Sequence, residues 1–218
     1  MVRDIVMVAV ALTHALPWIT VGVALCAVYL WAARKDWWGI LIGAFLSFKV
    51  AYSAFLTAGQ YLVWSGDPVL RTLADAPVLV DARVPHQLVP FLSLFNFPHG
   101  YATLYALDHF WLSLALDVLV SLLFFGVLWI VLRKKGAFLQ SELCAAFLCS
   151  LLVGWPGVLV FVPLSLLVAV MVSAAQLMMR RASDVSLFLP LFFALIIMIL
   201  WRAVGDPIVF FHLSALQV

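Results

Sequence analysis

The stretch WWGILIGAFLSFKVAYSAFLTAGQYLVW, Trp37–Trp64, decides the class of this protein. It is apolar for long enough that a helix made of it crosses a hydrocarbon core of about 30 Å, and it holds one charged residue, Lys49. Indoles close both ends, where the ring body suits lipid and the N–H suits the wet interface. The rest of the chain is built alike. Of its 218 residues 67% are hydrophobic and 10% charged, and the mean hydropathy is +1.20, against an apolar fraction of about one half in soluble domains.

Working outward from that stretch, further runs of spanning length lie at Ile5–Trp31, Phe110–Leu132, Leu143–Val160, Phe161–Met179 and Val185–Trp201. The pattern predicts an all-α polytopic bundle of about six spans in a single membrane domain. The fourth and fifth runs are continuous in hydropathy, and Gly154-Trp155-Pro156-Gly157 supplies turn chemistry for a tight hairpin between them. The first run ends in Ala33-Arg34-Lys35 without a small-residue cleavage site, so it reads as a span and not as a removed signal.

Sidedness follows from Lys and Arg. Arg34 with Lys35, Arg133 with Lys134 and Lys135, and Arg180 with Arg181 fall on one side of a six-span count, which the positive-inside rule makes the cytoplasm. Both termini and the long connection 65–109 then face outward. Within that connection Leu88–Leu94 is too short to span and is bracketed by Pro85 and Pro98, so it is expected to lie in the interface or to re-enter, leaving the loop partly buried. The same connection gathers Asp75, Asp81, Arg83, His86, Asn96, His99, Asp108 and His109.

Several classes drop out. A net charge of +2, with the basic residues placed beside apolar runs, does not suit a nucleic-acid partner. Cys26, Cys144 and Cys149 lie inside apolar segments without metal or redox spacing and read as small buried hydrophobes. The histidines form no i, i+4 pair of the kind that marks a helical zinc site, so no metal or other cofactor is expected. His14 reads as a helix-packing donor and His212 as solvated, and Glu142 sits where a helix N-terminus favours a carboxylate.

The groups that could carry chemistry are the ionisable ones inside spans, because a charge at mid-bilayer costs at least ~2.5–3.5 kcal/mol and must face the bundle or a wet cavity. Counting inward at about 1.5 Å per residue brings Lys49 and Asp117 to depths within roughly 4–5 Å of each other, so an ion pair between the second and third spans is geometrically open. Lys49, Ser53, Thr57 and Gln60 form one polar stripe, and Tyr105, His109, Ser113, Asp117 and Ser121 a second at four-residue spacing. Either the stripes line an outward cleft, or they lock two helices together through hydroxyl-to-carbonyl bonds.

The second-span run Gly43-Ala44-Phe45-Leu46-Ser47-Phe48-Lys49-Val50-Ala51-Tyr52 resembles the Gly-Ala-Arg-Leu-Gly-Tyr stretch of the prolipoprotein diacylglyceryl transferases, with Lys49 where the family has arginine. Phe97-Pro98-His99-Gly100 with Leu104-Tyr105, and Asp117 followed by Leu128-Trp129 and Arg133-Lys134-Lys135, resemble that family's His-Pro-x-x-Leu-Tyr-Glu segment and the span after it. The resemblance implies a bacterial inner-membrane protein with an outward N-terminus and an outward cleft, moving a diacylglyceryl group from a phospholipid to a lipoprotein cysteine. The chain has no His-Gly-Gly segment and no Gly-Arg-Ile-Gly-Asn signature. Glu142 through Gly154-Trp155 and the spans after it are similar to the C-terminal half of the prepilin peptidases, without that family's Gly-x-Gly-Asp motif.

Three functions follow as expectations. The first is a transferase-like protein with membrane lipid as its partner: Lys49, Tyr52, Arg83 and Tyr105 hold the substrate, the basic groups meeting a phosphate, and His99, His109 and Asp117 are the catalytic candidates, with a histidine moving the proton. The second is a structural or assembly subunit with a membrane-protein partner. The third is a small-solute carrier gated by Lys49 and Asp117, although the inverted repeats and broken helices of carriers are not evident.

Overall fold

A computed structural model describes residues 2–33, 36–78, 89–133, 140–178 and 186–204. All regular structure in these residues is helical. The elements are α1 (Val2–Ala32), α2 (Trp38–Gly66), α3 (Pro68–Ala74), α4 (Val89–Ser93), α5 (Gly100–Ala106), a π-helical segment (Leu107–Leu112), α6 (Ser113–Arg133), α7 (Gln140–Val153), α8 (Val158–Met178) and α9 (Phe188–Val204).

Four stretches among the described residues are helices long and apolar enough to cross a membrane: Ala15–Ala32, Trp38–Gly66, Gly100–Ile130 and Val158–Met178. The chain is therefore an integral membrane protein of the all-α class. Gln140–Val153 and Phe188–Trp201 are apolar but shorter. The third span begins earlier than its hydropathy suggests, because α5, the π segment and α6 run on as one helix from Gly100. Asp108 and His109 look like a span boundary in sequence, yet a helix needs only its own backbone bonds to continue through them. The helix in the run expected to be the fourth span, α7, ends at Val153, earlier than expected. Gly154, at φ 69°, leaves the helical region, Trp155-Pro156 is a cis peptide, and the next helix starts at Val158, so the turn lies at residues 154–157 where the Gly and Pro signals place it.

The 65–109 connection carries α3, α4 and α5. Asp67 caps α3 by accepting from Val69 N at 2.8 Å and Leu70 N at 3.2 Å, with Pro68 in the first turn. The segment expected to lie in the interface or re-enter is the short helix α4 over Val89–Ser93. Asp81, Arg83, His86, His212 and the cluster residues Arg34, Lys35, Lys134, Lys135, Arg180 and Arg181 lie outside the described residues.

The chain groups into two compact units, one of Met1–Trp18 with Ser47–Leu114 and one of Ile19–Leu46 with Ala115–Val218. In the second unit α7 packs against both α8 and α9. Ten of its residues are buried, from Glu142 to Val153, which is what a helix apolar on all sides requires. α9 packs on both α7 and α8 and buries Leu191, Ala194, Leu195 and Met198 at helical spacing. Phe188 stacks on Trp31 at 4.4 Å and on Phe192 at 4.3 Å. In the first unit α3 and α5 pack together, and the loop before α5 is pinned by Val78 N to Phe95 O at 3.1 Å and Tyr101 N to Ala76 O at 3.1 Å.

Candidate functional site

The first unit holds an open slot of about 610 Å³ between α2 and the α5 helix with its π extension. Alanines make the room. Ala54 and Ala58 on α2, and Ala102 and Ala106 on α5, repeat at i, i+4 on the slot's two walls. Small residues at this spacing usually let two helices close on one another. Here polar struts space the walls: Trp111 Nε1 donates to Thr57 Oγ1 at 3.1 Å, and Ser53 Oγ donates to Phe110 O at 3.4 Å. Thr57 in turn donates to Ser53 O at 2.8 Å. Trp111 is thus tied to the polar stripe of α2.

His99 stands at one end of the slot, beside Tyr61, whose ring it meets edge-on at 5.8 Å. Its position is built from three local facts. Its backbone is in the left-handed region at φ 68°, unusual for a non-glycine residue and costing roughly 1–2 kcal/mol. The next residue has to be glycine, since a Cβ on Gly100 falls 1.7 Å from Phe95 O. The strained backbone is held from both ends: His99 N donates to Asp75 O at 3.3 Å, and His99 O accepts from Thr103 N at 3.1 Å and Thr103 Oγ1 at 3.0 Å.

The imidazole is oriented as firmly as the backbone. Nδ1 lies 3.1 Å from Ala74 O and 3.1 Å from Asp75 Oδ1. Both neighbours are acceptors, so Nδ1 carries the hydrogen and the neutral ring keeps its basic lone pair on Nε2. Asp75 is the residue that ends α3 and also lies 3.8 Å from Arg71, in an exposed pair. A carboxylate fixing the tautomer of a histidine is the orienting arrangement that general-base sites use. Gln60 lines the same slot, and its Oε1 is buried with no donor among the described residues.

The other candidates distribute as follows. His109 is in the π segment, with Nδ1 3.2 Å from Tyr105 O and 3.5 Å from Asp108 Oδ2. Its ring stacks on Tyr105 at 3.8 Å, and Trp64 adjoins Tyr105 at 5.1 Å and Tyr101 at 6.1 Å. Tyr105 and His109 therefore belong to an aromatic stack, while the slot is lined by His99. Lys49 is half-buried on α2, one helical turn before Ser53, and Tyr52 stacks on Phe48 at 6.3 Å. Arg83 is outside the described residues.

Asp117 belongs to the second unit. It is 7% exposed, and its Oδ1 accepts a short hydrogen bond from Trp155 N. A Cβ on Gly154 would meet its two carboxylate oxygens at 3.1 and 3.3 Å. The carboxylate thus receives the turn between α7 and α8, a packing role beside whatever else it does. Glu142, also buried, accepts from Ser186 Oγ at 2.6 Å, and Ser186 Oγ accepts from Phe188 N at 3.3 Å at the start of α9.

Asp75, Trp111 and the alanine walls escape a sequence reading that looks for charge at mid-span. The signal that points to them is Pro98-His99-Gly100, a turn in which a histidine precedes an obligatory glycine. Among the described residues no three His, Cys, Asp or Glu side chains are grouped to hold a metal ion. No protein-family model, no curated protein and no solved structure matches this chain.

Proposed function

We propose that this protein crosses a bacterial inner membrane six times and handles a lipid or lipid-linked substrate in the α2–α5 slot, with His99 as the proton-transferring group. The observation that carries the reading is the Asp75-oriented imidazole at the end of an apolar slot on helices of spanning length. Ala54 and Ala58 are exposed within α2, so the opening faces hydrocarbon once that helix is in a bilayer. Substrate reaches the slot from within the leaflet. Asp75 holds Nδ1–H, Nε2 accepts a proton from a substrate hydroxyl or thiol, and the proton returns to the leaving group.

The six-span count adds α7 and α9 to the four long helices. α7 rises only about 21 Å over its 14 residues, and its burial on all sides lets the protein, instead of lipid, receive its ends. With six spans the three basic clusters share the cytoplasmic side, and His99 lies toward the outer leaflet. The likeness of the Phe97–Tyr105 stretch to prolipoprotein diacylglyceryl transferases points toward the same substrate class.

Native mass spectrometry of the gently solubilised protein tests this. Lipid is retained by the wild type and lost on Ala58→Phe, which fills the slot. Equal lipid occupancy in both overturns the reading. A second reading, a structural subunit, is favoured by the buried Asp117 and Glu142, which serve helix packing. It calls for a stoichiometric protein partner indifferent to Ala58→Phe.

A further inference from the structure

The hydrogen-bond ledger of the slot narrows what it takes. Along its shaft the hydrogens of Trp111, Thr57 and Thr103 are committed within the protein. Trp111 Nε1–H goes to Thr57, the Thr57 hydroxyl to Ser53 O, and the Thr103 hydroxyl to His99 O. What the shaft presents is the methyl and methylene surface of Ala54, Ala58, Ala102, Ala106 and Leu107. From Ala54 to Tyr61, at about 1.5 Å per residue, this surface extends for roughly 10 Å toward the His99 end. Its volume of about 610 Å³ lies inside the roughly 300–1,000 Å³ typical of small-molecule sites.

The His99 end is different in kind. Because Nδ1 is the donor to Ala74 O and Asp75, Nε2 is an acceptor, and Gln60 adds a buried acceptor, Oε1, that lacks a donor among the described residues. Among the described residues no Lys or Arg lines the slot, and the charge beside the imidazole is the Asp75 carboxylate, itself 3.8 Å from Arg71. An apolar shaft without a cation in its lining, ending in the Nε2 and Oε1 acceptors with the Gln60 amide and Tyr61 hydroxyl as donors beside them, suits a chain whose head is a neutral group that both donates and accepts.

Resting on the lipid reading given above, we infer that the slot binds a neutral single-chain amphiphile with a hydroxyl head, such as a long-chain alcohol, with the hydroxyl donating to His99 Nε2 and the chain lying between the alanine walls. The head group is thereby the proton donor of the proposed reaction.

The test titrates the delipidated full-length protein, in detergent, with hexadecanol, hexadecane and palmitoyl lysophosphatidylglycerol, read by native mass spectrometry. Hexadecanol is expected to bind about five- to tenfold tighter than hexadecane, the worth of one net hydrogen bond. His99→Asn removes Nε2 while keeping a residue that tolerates the left-handed backbone; it should erase that preference and leave hexadecane binding unchanged. Equal binding of alcohol and alkane, or tighter binding of the lysophospholipid unaffected by His99→Asn, overturns the inference while leaving a lipid slot in place. Failure of Ala58→Phe to weaken any of the three ligands overturns the lipid reading itself.

Discussion

Helix α7 and the slot beside α2 handle polar groups in an apolar chain in opposite ways. Around α7 the packing is closed: Leu148, Cys149 and Leu151 are fully buried, and the two buried carboxylates each receive a protein donor, Trp155 N for Asp117 and Ser186 Oγ for Glu142, with the buried Ser121 Oγ the exception that lacks a partner among the described residues. In the slot the alanine walls stand apart, one histidine is held in an unusual backbone conformation, and the Gln60 acceptor has no donor among the described residues. Closed packing with satisfied polar groups is what stability asks for. An open, strained and incompletely satisfied region is where function is to be sought.

That contrast can be broken by substitution. The largest effect should come from Leu148→Ala in α7, which removes a fully buried side chain and should cost about 2–5 kcal/mol, measured as the shift of reversible unfolding in mixed micelles. Asp117→Ala should cost about 1–3 kcal/mol by leaving the Trp155 N–H without its acceptor, and Asp117→Asn should recover part of it because an amide oxygen still accepts. Ser186→Ala loses both the partner of Glu142 and the bond to Phe188 N, and should cost about 1 kcal/mol in the same assay. The smallest stability change, under about 1 kcal/mol, should follow Ala58→Phe, because the added ring enters existing space instead of a packed core. If Ala58→Phe destabilises as much as Leu148→Ala, the two regions do not differ in the way described.

How far the sequence led depends on which physical signal each feature leaves. Helices α2 and α8 were legible from hydropathy because long apolar runs have one solution in lipid. The turn after α7 was legible from Gly154 and Pro156, whose backbone demands are local. The start of the third span was not, since Asp108 and His109 interrupt the hydropathy of a helix whose backbone runs on from Gly100. The π segment also undoes the four-residue stripe from Tyr105 to Ser121. That spacing marks one face only under α-helical bonding, and Leu107–Leu112 inserts a different register between Tyr105 and Asp117.

The site was half legible. His99 stood out among the ionisable residues gathered in the 65–109 connection, as a candidate for proton transfer. Its partner did not, because Asp75 meets it only through the docking of α3 against α5, a tertiary contact with no periodic trace in sequence. Charge at mid-span is the conspicuous signal in an apolar chain, whereas the slot is made by small residues, which raise no signal of their own. Four alanines in an apolar helix look like ordinary helix formers until their facing walls are seen to stand apart.

The most direct test is a cryo-electron microscopy map of the protein in lipid nanodiscs. The account predicts an elongated density lying between Ala54 and Ala58 on one wall and Ala102 and Ala106 on the other, with one end at hydrogen-bonding distance from His99 Nε2. A map in which these alanines touch and the walls close, with no space beside His99, would contradict it.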